Sequence, residues 1–114
     1  MTTLYGIRNC DTVRKARRWL DDNGIEYTFH DVRSEGLDRK MLQAWEKQLG
    51  WEQLLNRRGT TWRKLPDDVR DGIDRTRAIQ VMLENPAIIK RPVLAVGGQL
   101  YHGFNATTYS DIFD

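Results

Sequence analysis

The chain has 114 residues, of which 39% are apolar and 30% charged, and its formal net charge is +2. This length and composition indicate one folded globular domain with a buried core and exclude a disordered chain. The small net charge excludes an extended nucleic-acid-binding surface, so any function of the many arginines must be a local anion site.

The sequence predicts neither export nor membrane anchoring. No stretch approaches the roughly 20 apolar residues of a membrane span, and the first residues lack a basic region followed by an apolar run. The single cysteine, Cys10, cannot form an internal disulfide, which fits a reducing compartment. We therefore expect a cytoplasmic protein.

The first third of the chain predicts a strand, a helix and a second strand. Residues 3–7 are β-prone and are followed by a polar break rich in helix-capping residues. Apolar residues then recur at helical spacing, which predicts a helix at about 11–23. Residues 25–32 alternate apolar and polar side chains, with Ile25, Tyr27, Phe29 and Asp31 on one face. Such a βαβ unit implies a parallel pair of strands.

The middle of the chain changes to a helical pattern. Helical spacing recurs there, and we interpret residues from about 37 to 85 as a helical insertion. Residues 93–101 predict a β-hairpin, because the Gly97 and Gly98 pair suits the positive φ angles of a two-residue turn. Residues 105–113 predict a short closing helix with Asn105 as its cap. The pattern is that of an α/β fold.

Cys10 is the leading candidate for a catalytic residue. It falls between the first strand and the first helix, where the N–H groups and the dipole of that helix stabilise an anion. Cysteines in such positions have pKa values lowered from about 8.5 to about 3.5–7.5, which supplies a nucleophilic thiolate. A lone cysteine is otherwise a small buried hydrophobe, but polar neighbours on both sides argue against burial. We expect Asp11 to cap the helix or to face solvent.

A second candidate is the basic segment at 54–65, which contains Arg57 and Arg58 together with further cations and two threonines. Planar guanidinium groups match carboxylate, sulfonate and tetrahedral oxyanion groups, so this segment is suited to bind an anion. The alternative interpretation is a solvated basic surface.

The remaining candidates are weaker when taken alone. Arg91 and Pro92 directly precede a predicted strand, and since only about 5–6% of X–Pro bonds are cis, the local sequence predicts a trans proline. His30 and His102 are too few and too far apart for a zinc site, and we expect no metal.

Three motifs occur in a fixed order along nearly the whole chain. They are Tyr5-Gly6-Ile7-Arg8-Asn9-Cys10-Asp11-Thr12, Asn56-Arg57-Arg58-Gly59-Thr60-Thr61-Trp62 and Ile88-Ile89-Lys90-Arg91-Pro92-Val93. Together they resemble the arsenate reductase-like family of the thioredoxin superfamily, which includes ArsC, Spx and YffB, and most strongly its YffB members. The resemblance implies a thioredoxin-like mixed sheet flanked by helices, with an all-helical insertion, in a single domain of residues 1–114.

The resemblance also implies site residues. Cys10 matches the catalytic cysteine of the family, and Arg91 matches an arginine that precedes a cis proline, here Pro92. The other anion-binding arginine falls at Arg57 or Arg58, and we prefer Arg58.

Two departures from the family pattern narrow the function. Arsenate reductases of this type carry a third arginine near the last hairpin, where residues 101–105 here read Tyr-His-Gly-Phe-Asn. This difference argues against arsenate specificity. Spx-like regulators with a disulfide switch carry a second cysteine at the position of Val13, which excludes such an internal switch here.

We therefore expect an oxidoreductase, a glutathione-dependent thiol–disulfide reductase in which Cys10 attacks a substrate sulfur and an external thiol resolves the mixed disulfide. Arg58 and Arg91 are expected to orient an anionic group, and Asn9 and Thr12 to donate hydrogen bonds around the sulfur. The alternatives are reduction of arsenate or another oxyanion, and an Spx-like non-catalytic binder of the transcription machinery. The expected partners are glutathione or another small thiol, as co-substrate, and a disulfide or oxyanion substrate. We expect no bound cofactor, no nucleic acid and no membrane, and a monomeric state.

Overall fold

The computed structural model describes every residue, Met1–Asp114. Its strands are β1 (Thr2–Gly6), β2 (Thr28–Asp31), β3 (Val93–Val96) and β4 (Gln99–His102). Its helices are α1 (Asp11–Asp22), α2 (Arg39–Leu49), α3 (Trp51–Leu54), α4 (Thr60–Arg63), α5 (Asp67–Asp71), α6 (Arg75–Glu84) and α7 (Ala106–Phe113). None of these helices combines the length and apolarity that crossing a membrane requires.

The chain forms two compact units. The first combines Met1–Glu35 with Arg91–Asp114, and the second is Gly36–Lys90. All four strands lie in the first unit, whereas the second unit is built from α2 to α6 and a short 3₁₀ helix, Pro86–Ile88. That the whole chain acts as a single domain stays a prediction.

The sheet of the first unit has the strand order β2-β1-β3-β4. β1 pairs in parallel with β2, as the βαβ pattern predicts, and the other two pairings are antiparallel, so the predicted mixed sheet is confirmed. Gly6 lies opposite Asp31, and Tyr5 lies opposite Val93. The carboxyl ends of β1 and β2 and the amino end of β3 therefore share one edge of the sheet. The loops at that edge carry Cys10 and Arg91.

A small apolar core holds the helices of this unit against one face of the sheet. Leu4 and Leu94 from the sheet pack with Ala16 and Leu20 from α1 and with Tyr109 from α7, and all are buried. Fully burying a large apolar side chain of this kind stabilises the fold by about 1.5–3 kcal/mol. The helical spacing of the apolar residues thus fixes which face of α1 meets the sheet, and with it the position of the N-terminus of the helix.

Two local predictions are confirmed and one is corrected. Gly97 and Gly98 take φ angles of 53° and 90° in the turn between β3 and β4. The Asn105 side chain accepts a hydrogen bond from the backbone N–H of Thr108 at 3.1 Å and caps α7. The second strand, however, is shorter than the predicted 25–32, because the N–H of Ile25 still bonds the Leu20 carbonyl at 2.9 Å and closes the end of α1.

The second unit is helical and is closed by a short paired segment. Its core is formed by buried apolar side chains, which are Leu42, Trp45, Leu54, Leu55, Ala78, Ile79, Val81, Met82, Ile88 and Ile89. An isolated antiparallel bridge joins Leu55 to Ile89, and the Lys90 N–H donates to the Leu54 carbonyl at 2.7 Å. This bridge holds the segment that contains Arg57 and Arg58 against the last residues of the unit.

Candidate active site

Cys10 stands where the first strand passes into the first helix. It occupies the N-cap position of α1 with an extended backbone, φ −115° and ψ 125°, and its carbonyl accepts the N–H of Arg14 at 2.9 Å. Its side chain is partly exposed and is not a member of the hydrophobic core. The sulfur is therefore both at a helix N-terminus and within reach of solvent.

The surroundings of Cys10 favour its ionised form. Partial burial raises the pKa of the thiol, but the backbone N–H of Val13, the Arg91 side chain and the backbone N–H of Thr12 lower that pKa by more. The net pKa lies below the ordinary value for cysteine. The sulfur makes no conventional capping hydrogen bond. Its stabilisation comes from N–H dipoles directed at the sulfur and from one guanidinium charge.

Arg91 and Pro92 meet this loop because they lead into β3, which pairs with β1. The Arg91–Pro92 bond is cis, as the resemblance implies, and the trans bond predicted from the local sequence alone is wrong. Pro92 is fully buried, and its carbonyl accepts the N–H of Gly103 at 2.8 Å. The Arg91 side chain is half-buried and hydrogen-bonds the Cys10 thiol.

The polar neighbours of Cys10 play different parts. Asp11 does not cap the helix but faces solvent, where its 88% exposed side chain pairs with Arg14 at 2.9 Å. Its carboxylate is thereby paired with a cation. Thr12 acts on the sulfur through its backbone N–H. Asn9 is exposed in the loop that precedes the cysteine.

Asp31, the last residue of β2, contributes to the site in a way that its sequence neighbours do not indicate. Its side chain is only 5% exposed, and it accepts a hydrogen bond from the backbone N–H of Arg8 at 3.1 Å. Arg8 lies in the same loop as Cys10. One feature of the sequence does point to this role. Asp31 shares a strand face with Phe29, and a carboxylate that is buried on an apolar face needs hydrogen-bond partners.

Arg57 and Arg58 belong to the second unit, where their side chains differ. The Arg57 guanidinium carbon lies 5.4 Å from the centre of the Trp51 ring and 5.7 Å from that of Trp62, so this cation is held between two aromatic faces. Arg58 is exposed, its backbone N–H bonds the Asn56 side chain at 3.1 Å, and its carbonyl accepts from Arg63 at 2.7 Å. Both arginines line a surface pocket of about 480 Å³.

The segment that follows β4 borders Pro92 through the bond from Gly103. Residues 101–105 line a small surface pocket of about 260 Å³ together with Thr108 and Tyr109. The lining includes His102 but no arginine and no lysine. The segment where the resemblance places a third arginine in arsenate reductases thus lines a partly aromatic surface without arginine or lysine.

The chain is similar to known proteins over nearly its whole length. The family model described as "ArsC family" matches residues 5–112. The solved structure of a YffB protein superposes with a TM-score of 0.93 at 45% sequence identity, covering 97% of each chain. An arsenate reductase (ArsC) related protein from Brucella melitensis is 53% identical, with a TM-score of 0.81, over 99% of this chain and 94% of its own.

A more distant relative carries a regulatory name. The global transcriptional regulator Spx from Listeria innocua is 29% identical over 92% of this chain and 81% of its own length. The solved structure of a glutaredoxin from Archaeoglobus fulgidus shares the fold, with a TM-score of 0.50 at 12% identity over 98% of this chain and 84% of its own. The thioredoxin-like fold predicted from the resemblance is confirmed.

Proposed function

The chain belongs to the ArsC family of arsenate reductase-like proteins, and we propose that it is a glutathione-dependent thiol–disulfide reductase with Cys10 as its nucleophile. The observation that carries this proposal is the environment of the sulfur. A half-buried thiol with a lowered pKa lies beside one guanidinium group at the start of a helix, and the chain holds no second cysteine to resolve a disulfide.

In the first step the Cys10 thiolate attacks one sulfur of a substrate disulfide. A bond forms between the Cys10 sulfur and that sulfur, the substrate S–S bond breaks, and the other sulfur leaves as a thiolate that takes a proton from solvent. The N–H groups of Val13 and Thr12 and the Arg91 side chain stabilise the attacking anion. We assign to Arg91 a second role, which is to orient an anionic group of the substrate beside the sulfur.

In the second step an external thiol restores the enzyme. If the first step leaves glutathione on Cys10, a second glutathione thiolate attacks the sulfur of the bound glutathione. A bond forms between the two glutathione sulfurs, the bond to the Cys10 sulfur breaks, oxidised glutathione is released, and Cys10 is restored as the thiolate. The net reaction consumes one mixed disulfide and one glutathione and yields one free thiol and one oxidised glutathione, so sulfur atoms and electrons balance. A reducing cytoplasm would supply the thiol.

Arg58 supplies the second cation of the proposal. Its side chain is exposed and carries no interaction with the protein, whereas the guanidinium of Arg57 is held over Trp51 and Trp62. A guanidinium free to turn toward solvent is suited to a carboxylate of glutathione. We therefore assign substrate recognition to Arg58 and packing to Arg57, with Asn9 and Pro92 lining the site around Cys10.

The two alternative functions are less well supported. Arsenate is a tetrahedral oxyanion that needs several cations, and residues 101–105 beside Pro92 contain no arginine or lysine. An Spx-like disulfide switch needs a second cysteine, and that position is Val13, which is fully buried. An adaptor that only binds transcription machinery would have no use for an activated thiol.

Turnover of a small mixed disulfide tests the proposal. Reduction of glutathionylated hydroxyethanethiol is followed by NADPH consumption through added glutathione reductase, with the wild-type protein and with the Cys10→Ser variant as its isosteric control. We expect turnover with the wild type alone, and a single glutathione adduct on Cys10 by intact-mass spectrometry. Equal activity of the two proteins would refute the mechanism, and thiol oxidation that requires arsenate would favour the oxyanion alternative.

A further inference from the structure

Asp31 is the one buried charged side chain of the chain, with 5% of its surface exposed. Burying a carboxylate is costly unless its oxygens are satisfied by hydrogen bonds. A buried charge at the edge of the sheet that carries the thiol therefore calls for an explanation, and the catalytic steps described above do not use it.

The two carboxylate oxygens of Asp31 serve different partners. Oδ1 accepts the backbone N–H groups of Arg33 at 2.8 Å and of Ser34 at 3.1 Å, which shapes the turn after β2. Oδ2 accepts the backbone N–H of Arg8 at 3.1 Å, across a sequence separation of 23 residues. One oxygen thus stabilises a local turn, and the other reaches the loop that leads to Cys10.

The bond to Arg8 continues the pairing of β1 with β2 beyond the last strand residues. Gly6 is the register partner of Asp31, and the Gly6 carbonyl accepts the N–H of Val32 at 2.9 Å. After Gly6 the chain leaves the sheet, and Arg8 is held by the Asp31 side chain just before Cys10 begins α1. The path of this loop decides where the sulfur sits relative to the helix N–H groups.

We propose that Asp31 is a positioning residue for Cys10, which fixes the loop from β1 to α1 through its hydrogen bond to the backbone N–H of Arg8. The proposal deepens the proposed function but does not depend on the identity of the substrate. It requires only that the sulfur owes its reactivity to the place that the loop gives it, facing the N–H groups of Val13 and Thr12 and the Arg91 side chain.

Positioning and direct electrostatics predict opposite results when the charge of Asp31 is removed. An anion near a thiolate disfavours ionisation, so loss of the Asp31 charge alone would make Cys10 ionise more easily. Loss of the hold on Arg8 would displace the sulfur from its donors, so Cys10 would ionise less easily. Two other charged groups keep their partners in the variant, since Arg91 faces the sulfur and Asp11 is paired with Arg14. The Arg8 charge, which acts on Asp31, remains in the loop before Cys10.

The Asp31→Asn variant separates the two effects. Its amide oxygen can keep the Arg33 and Ser34 bonds, but its NH₂ group then faces the Arg8 N–H, donor against donor. The Glu35→Gln variant is the matched control. The Glu35 side chain accepts the N–H of Asp31 itself at 2.8 Å, so the control removes a charge at the same corner without touching the loop of Cys10.

The measurement is the pH profile of Cys10 alkylation by iodoacetamide, which needs no glutathione and no substrate. For Asp31→Asn we expect the midpoint to rise and the rate well below it to fall by roughly threefold, the change for about half a pKa unit. The limiting rate at high pH should equal that of the wild type. Glu35→Gln should keep the wild-type profile. Because the assay is independent of turnover, a failure of the reductase proposal would leave this result intact.

Three results would overturn the inference. An unchanged midpoint would mean that Asp31 is merely structural, and a lowered midpoint would mean that its charge acts directly on the thiol. If Asp31→Asn does not fold, the Asp31→Ser variant replaces it, because a serine hydroxyl can serve the turn but is too short to hold Arg8. Failure of both variants to fold would assign Asp31 to the stability of the fold and not to the position of Cys10.

Discussion

The Arg91 side chain hydrogen-bonds the Cys10 thiol, although the two residues enter the site from different elements, one ahead of β3 and the other ahead of α1. The contact exists because the amino end of β3 lies beside the carboxyl end of β1. It makes Arg91 the one side chain among the groups that lower the pKa of Cys10, since the other contributions come from backbone N–H groups. Arg91 is therefore the contribution that a substitution can remove.

Replacing Arg91 tests how much of the thiol activation it provides. Its guanidinium hydrogen-bonds the thiol and places a positive charge beside it, and both effects favour the thiolate. Arg91→Met removes both, so it should raise the pKa of Cys10. Arg91→Lys should give a smaller rise, because lysine keeps the charge but not the planar fork. Thiolate absorbance near 240 nm during a pH titration measures both, and an unchanged pKa in Arg91→Met would contradict the assignment.

The lowered pKa of Cys10 also predicts a pH dependence of stability. Between the folded and the unfolded pKa of Cys10, the unfolded chain binds more protons at this thiol than the folded chain does. The free energy of unfolding therefore rises with pH in this range. The stability difference between the wild type and Cys10→Ser should grow from below the folded pKa up to about pH 8.5, the unfolded value, and stay constant above it. Urea unfolding of both proteins across this range provides the measurement. A difference that shrinks as pH rises would show that the thiol pKa is raised.

The lowered pKa of Asp31 predicts a loss of stability at acidic pH. Burial raises the pKa of its carboxyl, but the N–H groups of Arg8, Arg33 and Ser34 and the charge of Arg8 lower it more, so its pKa lies below the usual value. The stabilisation that it provides is present above the unfolded value of about 3.9 and is lost as the pH falls through the folded pKa. The wild type should therefore lose its stability advantage over Asp31→Asn on acidification, as followed by circular dichroism.

Gly6 is predicted to be intolerant of a side chain. A Cβ at this position would lie 2.7 Å from a methyl carbon of Val13, which is fully buried and stiff at its branched Cβ. Overpacking of this kind costs about 1–3 kcal/mol, so Gly6→Ala should be destabilised by that amount in urea unfolding. Gly59→Ala is the control, because its Cβ would meet only the amide of Asn56 at 3.2 Å. Equal stability of the two variants would show that Val13 yields easily.

Substitutions of Arg57 and of Arg58 are predicted to affect different properties, the first the stability of the fold and the second the recognition of substrate. Arg57→Ala removes a cation held over two tryptophan rings and should lower stability by about 0.5–1 kcal/mol, with a small effect on turnover. Arg58→Ala should leave stability unchanged and raise the KM for the glutathione mixed disulfide severalfold. Thermal unfolding and steady-state kinetics of the two variants give the comparison. The reverse assignment of the two effects would make Arg57 the recognition residue.

The sequence predicted the elements whose signals are local. The glycine pair of the hairpin, the asparagine cap of α7 and the apolar spacing of α1 each determine their own structure, and all appear as predicted. The predicted length of β2 was wrong, because the hydrogen bond from the Ile25 N–H to the Leu20 carbonyl depends on how α1 ends. The alternation of polar and apolar residues carries no information about that bond. The cis form at Pro92 came from family resemblance, since the local sequence favours trans.

The candidate site was predictable only in part for a related reason. Cys10 could be found because its position before a helix is a local property. The role of Asp31 depends on its bond to the N–H of Arg8 in another segment, and the roles of Arg57 and Arg58 depend on where Trp51 and Trp62 are packed. Such relationships are set by strand pairing and packing, so they become visible only in the folded structure.

The first unit is formed by two segments that are far apart in the sequence, so they are synthesised at different times. Cys10 lies in its leading segment and Arg91 in its trailing segment. At a translation rate of about 5–20 residues per second, the ribosome adds Cys10 to the chain several seconds before it adds Arg91. Until then the nascent thiol lacks the Arg91 guanidinium that helps to lower its pKa in the folded protein. The full lowering of the Cys10 pKa thus requires that both segments of the discontinuous unit have been synthesised.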